Sequence, residues 1–331
     1  MTPREFDALL KTALSEDAAR HDITSQAVLP RACRIRVRLV AKASGVLAGG
    51  PMATRIFRLV DPSLRCRLFR HDGARLSAGL TILTLEGRAR SIFAAERTAL
   101  NLLAHLSGIA TLTAAYVRRA QGTRAKIFDT RKTLPGLRAL EKCAVRLGGG
   151  HNHRSSLRDA VLIKTNHLRV LRLATSDKQQ ATSGALIQTA ILRARRMYPR
   201  RFIEIEVTNL REFRAALTAR PDAILLDNWQ LKQIQQAVRL KNSAMRIPQS
   251  AMPLLEVSGG VTLANVRAIA RTGVDRISIG RLTHSAPSLD LGLEVFTPPH
   301  GRPALQGGDE AKSPKGGSPK PRASARGAGF T

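Results

Sequence analysis

Glu204 and Glu206 are separated by one residue in the run Phe202 to Val207, whose remaining members are apolar. On a strand, residues two apart share a face, so both carboxyls point opposite Ile203, Ile205 and Val207. Acids on an inward face need partners. Lys164, Lys132 and Arg131, at the ends of neighbouring expected strands, are the cations available. A buried ion cluster drawn from separate strands costs stability unless it binds something, so a ligand site is expected ahead of a purely structural ion network. Asp227 closes another apolar run and adds a third acid. The segment from Gly148 to Arg154 (Gly-Gly-Gly-His-Asn-His-Arg) allows backbone to approach a ligand closely and then supplies imidazoles and a guanidinium. His151 and His153 could hold a metal, but no third ligand stands at fixed spacing and Arg154 repels a cation, so the segment reads as an anion binder.

These residues need a scaffold that gathers them. Short runs rich in β-branched residues at 125–129, 160–164, 202–207, 223–227, 254–257 and 276–279 alternate with helical periodicity at 137–147, 210–219, 231–240 and 263–271. The unusual residues fall at the C-terminal end of each run or just after it: Arg131 and Lys132, Lys164, Glu206, Asp227, then Ser258-Gly259-Gly260, then Ser278 and Gly280. That placement predicts an α/β chain built as a (β/α) barrel, complete or incomplete, whose mouth is the site. A doubly wound open sheet would share the end but not the central mouth, and no GxGxxG follows the first run. The glycine-bearing turns after the last two strands match a barrel phosphate site.

Before the barrel, residues 33–41 alternate apolar and basic, as a half-buried strand does, and 65–70 and 80–86 read as further strands behind an opening helix at 4–16. An N-terminal α+β domain with its linking helix is expected over 1–110, a (β/α) barrel over 111–296 and a disordered basic tail over 297–331. The helix at 91–121 carries a candidate break at Gly108. The arginine stripe Arg34, Arg36, Arg38 lacks interleaved aromatics in a chain that is only 4% aromatic, so a solvated sheet face is preferred to a nucleic-acid track.

Composition excludes disordered and fibrous classes: 43% of the 331 residues are hydrophobic. With 54 Lys+Arg against 24 Asp+Glu the formal charge is +30, which favours anionic partners of any kind without choosing among them. No apolar run is read as reaching the roughly 18 to 20 residues of a membrane span, so no membrane is expected and the cytoplasm is the expected location. Cys33, Cys66 and Cys143 are widely spaced and read as buried reduced thiols.

Several of these segments together bring a family into view. The chain resembles quinolinate phosphoribosyltransferase, also called carboxylating nicotinate-nucleotide pyrophosphorylase, through Glu96 to Asn101 with Leu106 to Ala110, Asp129 to Gly136 and Gly148 to Arg154. The match continues through Leu162 to Lys164 with Asn166-His167, Glu204 to Val207, Leu226 to Asn228, Glu256 to Gly260, and Ser278 to Gly280 with Leu282 to His284. The segments run in family order over roughly residues 16 to 296.

The resemblance implies transfer of a phosphoribosyl group from PRPP to quinolinate with Mg²⁺, giving nicotinate mononucleotide, pyrophosphate and CO₂ on the route to NAD. It implies that Arg131, His153 and Arg154 bind the dicarboxylate, with Arg97 supplied by the adjacent subunit of a homodimer or higher oligomer with shared sites. Lys132 and Lys164 would meet substrate anions and the leaving pyrophosphate. Glu206 and Asp227 would hold the ribose hydroxyls and the hydrated Mg²⁺, with no direct protein ligand to the metal. The turns Ser258-Gly259-Gly260 and Ser278 to Gly280 would cradle the 5′-phosphate. Thr165 stands where the family usually has an acid, Arg281 where it has a small residue, and 169–190 and 241–252 look like insertions. The alternatives are the molybdenum-operon phosphoribosyltransferase-like relative of other substrate, against which Asn152 argues, and a basic nucleic-acid binder, which would leave the strand-end acids unexplained.

Overall fold

A computed structural model describes residues 2–174, 182–243 and 252–296. The expected tail, and parts of the two expected insertions, lie outside these residues. The first part of the chain runs α1 (Pro3–Glu16), α2 (Ile23–Val28), β1 (Arg34–Ala41), β2 (Gly45–Val46), α3 (Gly50–Val60), β3 (Arg65–Leu68), β4 (Arg75–Leu76), β5 (Thr81–Arg88) and α4 (Ala89–Ala120). Helix α1 opens with a capping box, the Glu5 amide donating to Thr2 and the Thr2 amide to the Glu5 carboxylate, with Pro3 in the first turn. In β1 the alternation puts Val37 and Leu39 in the core and the arginines on the open face. Arg36 and Arg38 pair across the sheet with Glu86 and Glu294, at 2.8 and 2.9 Å.

The second part runs β6 (Lys126–Phe128), α5 (Arg138–Leu147), β7 (Val161–Ile163), α6 (Thr165–Leu173), α7 (Ser183–Met197), β8 (Ile203–Val207), α8 (Leu210–Ala219), β9 (Ala223–Asp227), α9 (Leu231–Ser243), β10 (Leu254–Ser258), α10 (Val266–Ala270), β11 (Arg276–Ser278), α11 (Arg281–His284) and β12 (Leu291–Val295). Six strands form one parallel sheet in the order β6-β11-β10-β9-β8-β7. This is the expected α/β architecture, with a mixed α+β domain in front. The sheet curls: the Arg276 guanidinium on β11 lies 4.9 Å from the Phe128 ring and 4.8 Å from the Phe202 ring, just before β8 at the opposite side of the sheet. Among the described residues the ladder is continued beyond β6 only by a bridge between Phe128 and His151, so the barrel they form is incomplete.

Strand β12 pairs antiparallel with β1, in the four-stranded sheet β12-β1-β5-β3. Three expectations are corrected. Helix α4 runs through Gly108 without a break. A Cβ there would lie 2.1 Å from the Pro287 carbonyl oxygen, so the glycine serves close packing of the chain before β12. Helix α4 is also long and apolar enough to cross a bilayer, contrary to the reading that no such run exists. Its apolar face, including Leu103, Leu106, Ile109 and Tyr116, is buried within the protein, which is what a central core helix requires. The three cysteines are free but half-buried rather than buried.

Candidate active site

The strand ends open into a cavity of about 990 Å³. Every site residue expected from the sequence lines it except Arg97: Arg131, Lys132, His153, Arg154, Lys164, Glu206, Asp227, Ser258, Gly259, Gly260, Ser278 and Gly280. Arg97 is exposed on α4 and stands outside this cavity. Inward residues from the strands stack as period two demands: Glu204 and Glu206 on β8, Asp227 on β9, Glu256 and Ser258 on β10, Arg276 and Ser278 on β11.

At one side stand the acids of the mouth. Glu206 accepts from the Thr165 hydroxyl at 2.8 Å and the Thr165 amide at 3.2 Å, and faces Lys164 Nζ at 3.4 Å. Burial raises its carboxyl, but the bonds from Thr165 and the Lys164 charge outweigh this and hold it below the ordinary value. Asp227 is pushed up, first by burial and then by the facing charge of Glu206. Lys164 therefore partners Glu206 as expected, whereas Lys132 and Arg131 make no ion pair with Glu204 or Glu206 among the described residues. Strand order explains the difference: β7, which delivers Lys164, adjoins β8, while β6 lies at the other edge.

At the other side the loop after β6 carries Arg131 and Lys132. Asp129, fully buried, accepts from Lys142 Nζ at 2.5 Å and from the His153 amide at 2.8 Å, while Lys142 also donates to the His153 carbonyl at 3.0 Å. Glu141, also buried, ties down the same loop by accepting from the Leu134 amide at 3.2 Å. Arg131 Nε is buried without a hydrogen-bond partner, and the Arg131 charge acts on Arg154, whose guanidinium is lowered first by burial and then by Arg131. Two guanidiniums are thus drawn together in the cavity.

His153 Nδ1 accepts from the Arg154 amide at 2.9 Å, which leaves the proton on Nε2, 2.9 Å from Glu204 Oε2. Both ring nitrogens are spent within the protein, so His153 fixes the Arg154 backbone and ties the segment before β7 to Glu204 on β8; direct ligation by either nitrogen would break one of these bonds. The glycines before it serve a different close approach from the one expected. A Cβ on Gly148 would lie 2.4 Å from the Ala110 carbonyl oxygen, and one on Gly150 2.7 Å from Thr113 Cγ2. The run therefore passes α4 rather than a ligand, and so brings His151 beside Phe128, where the rings stack.

The turns after β10 and β11 depend on their glycines. Gly259 and Gly260 have φ of +85° and +62°, and a Cβ on Gly259 would strike Asn228 Oδ1 at 2.1 Å. A Cβ on Gly280 would lie 3.0 Å from Lys132 Cδ, so this position keeps room for the lysine stem.

Sequence reading did not single out Glu256, Arg276 or Lys142 as site groups. Glu256 was legible, since it stands two residues before Ser258 just as Glu204 stands two before Glu206. Lys142 carried no such signal, because its relation to Asp129 exists only once α5 packs behind β6. Glu204 and Glu256 are almost fully buried, and both are raised above the ordinary carboxylate range by burial, Glu256 further by the Glu204 charge.

Comparison with known proteins agrees over the whole described fold. Residues 22–107 match the family described as "Quinolinate phosphoribosyl transferase, N-terminal domain", and residues 109–294 its C-terminal domain. The nicotinate-nucleotide pyrophosphorylase [carboxylating] of Mycobacterium leprae (strain TN) is 43% identical over 297 residues, 88% of this chain and 98% of that protein. A probable enzyme of the same name from Bacillus subtilis (strain 168) is 36% identical over 298 residues, 89% and 95%. The solved nicotinate-nucleotide pyrophosphorylase of Francisella tularensis superposes with a TM-score of 0.78 at 34% identity, covering 89% of this chain and 98% of that one. Matches across both domains, at these identities and over nearly the full length of each relative, show that this chain belongs to the quinolinate phosphoribosyltransferase family.

Proposed function

We propose that the chain transfers the phosphoribosyl group of PRPP to the ring nitrogen of quinolinate, releasing pyrophosphate and CO₂ and giving nicotinate mononucleotide for NAD synthesis. The observation that carries this reading is the convergence of Arg131 and Arg154 in the cavity, with Arg131 Nε buried and unpartnered. A dicarboxylate satisfies two converging forks; a monocarboxylate leaves one of them desolvated and unpaired. The rest of the cavity adds Lys132, Lys164, Arg169 and Arg281, cations suited to a polyanionic co-substrate.

The ring nitrogen attacks with its own lone pair, so the protein's task is to position two anions and neutralise them. Arg131 and Arg154 hold quinolinate, with His153 setting the Arg154 backbone. Lys132 and Lys164 meet the phosphates, Glu206 and Asp227 hold the ribose hydroxyls, and the Ser258 to Gly260 and Ser278 to Gly280 turns offer amides to the 5′-phosphate. Glu206 and Asp227 are hard oxygen donors whose facing charges favour a cation, which fits Mg²⁺. When bound, Mg²⁺ supplies charge neutralisation for the pyrophosphate.

Arg97, exposed and outside the lining of its own cavity, is assigned to the site of a second copy in a homodimer, or in a larger assembly built from such pairs. Three free thiols suit a reducing compartment, and we assign the chain to the cytoplasm. The nucleic-acid reading is disfavoured because Arg36 and Arg38 are already paired with glutamates. The test is incubation with quinolinate, PRPP and Mg²⁺ while following nicotinate mononucleotide. No product from quinolinate would refute the reading.

A further inference from the structure

Beneath the arginine end of the cavity lies a carboxyl group for which the phosphoribosyl transfer itself has no use. Glu256 is fully buried yet lines the cavity, and among the described residues neither of its oxygens has a hydrogen-bond partner of good geometry, the Ser278 hydroxyl and the Glu204 carboxyl being the polar groups closest in effect. The nearest ion-pairing atoms are His153 Nε2 at 3.5 Å and an Arg276 nitrogen at 3.9 Å. The His153 Nε2 proton is directed at Glu204, 2.9 Å away. An ionised Glu256 would thus stand desolvated, beside a second buried acid and under a dicarboxylate substrate. A neutral one removes all three penalties.

The proposed reaction requires one proton at this end. Once the ring nitrogen is bonded to the ribose, the C2 carboxylate leaves as CO₂ and its bonding electron pair stays on C2, next to the cationic nitrogen. A proton must then form the new C2–H bond. We propose that Glu256 is the general acid that supplies this proton. The O–H bond of Glu256 breaks, the proton passes to C2, and the electron pair remains on the Glu256 carboxylate, where Arg276 meets the new charge. Water entering through the cavity mouth restores the proton after product leaves. The inference rests on the reading that Arg131 and Arg154 hold quinolinate.

Other groups suit the task less well. His153 has its Nδ1 occupied by the Arg154 amide and its Nε2 by Glu204. Lys164 stands at the exposed mouth against Glu206. A metal ion bridging His153, Glu204 and Glu256 would face the guanidiniums of Arg154 and Arg276. The groups that set the protonation of Glu256 are Glu204 from β8, Arg276 from β11 and His153 from the segment between α5 and β7, with the Ser278 hydroxyl tempering them. Arg154 and Lys142 act more remotely, through His153. Burial and the Glu204 charge dominate, and both keep the proton on Glu256 at neutral pH.

The test is single-turnover rapid quench with quinolinate, PRPP and Mg²⁺, following pyrophosphate, nicotinate mononucleotide and the undecarboxylated mononucleotide separately. For Glu256→Gln, pyrophosphate release should stay within about threefold of wild type and the quinolinate KM likewise. Formation of nicotinate mononucleotide should slow by about a hundredfold while the dicarboxylate nucleotide accumulates. Glu256→Asp, which keeps an acid, should recover part of the loss. In wild type the nicotinate mononucleotide step alone should decline toward alkaline pH, and this limb should vanish in Glu256→Gln. Product formation at the wild-type rate in Glu256→Gln would overturn the proposal. So would a parallel fall in both steps with a raised KM, which marks a positioning role. If Glu256→Gln does not fold, a wild-type decarboxylation step that stays flat into alkaline pH overturns it. Absence of pyrophosphate release in the wild type would refute the substrate reading instead, a separable outcome.

Discussion

Lys142 Nζ and Asp129 Oδ1 meet at 2.5 Å behind the loop that carries Arg131 and Lys132, with both side chains almost wholly buried. Asp129 also receives the His153 amide, so the pair sets the spacing between the two arms that bear the arginines. Removing the lysine leaves a buried carboxylate unpaired. Lys142→Met should therefore destabilise the fold by roughly 3–5 kcal/mol in urea titration and lower kcat/KM for quinolinate more than for PRPP. A stability change below about 1 kcal/mol would show the pair to be dispensable.

Arg131 lines the cavity, and in the proposed reaction it serves the ligand rather than the core. Arg131→Ala should lose about a hundredfold or more in kcat/KM while its Tm stays within a few degrees of wild type. Nicotinate in place of quinolinate should give little or no product with the wild-type enzyme, because one converging guanidinium then lacks its carboxylate. Comparable turnover of nicotinate would refute the dicarboxylate site.

Thr165 holds Glu206 with both its hydroxyl and its amide. Thr165→Val keeps the shape and the amide but drops the hydroxyl, a bond to a charged acceptor worth about 1.5–3 kcal/mol. The Glu206 carboxyl then loses a group that lowers it and moves toward its ordinary value. The acidic limb of the pH–rate profile for PRPP should shift upward in this variant, with quinolinate KM unchanged. An unshifted limb would mean that Lys164 alone sets the charge of Glu206.

Asp61 is buried, and the Arg88 guanidinium, at 2.9 Å, with help from Ser63, holds its carboxyl well below the ordinary range. A depressed acid contributes stability above its unfolded pKa and loses it as the pH falls through the folded value. Asp61→Asn should lower Tm at pH 7, and the gap to wild type should close toward the acid extreme. Equal gaps at pH 7 and pH 3 would refute this linkage.

If Arg97 completes a partner's site, two different inactive variants should complement. Arg97→Ala and Lys132→Ala are each expected to be inactive, but a mixed dimer contains one site with both native residues and one with neither. Random exchange makes half the dimers mixed, so about a quarter of the sites should recover. No recovery after verified subunit exchange would place Arg97 in its own chain's service.

Much of this was local, and local pattern is what a chain carries in its residues. Alternation with period two puts Glu204 with Glu206, and Glu256 with Ser258, on one face whatever else the strands do, and the site residues fall at strand ends because the βα repeat ends there. Gly259 and Gly260 mark a turn through their backbone freedom alone. The partners of those acids were not local. Lys164 reaches Glu206 because β7 adjoins β8, whereas His153, from beyond β6, reaches Glu204 across the barrel because the sheet curls. Lys142 finds Asp129 only when α5 packs down, and β12 finds β1 across some 250 residues of chain, with Val37 opposite Val295. Helix α4 looks like a membrane span until the two domains are seen packed around it. An ion pair or a strand pairing is a relation between segments, and its energy depends on a separation that strand order and sheet curvature set; no residue pattern within either segment contains that distance.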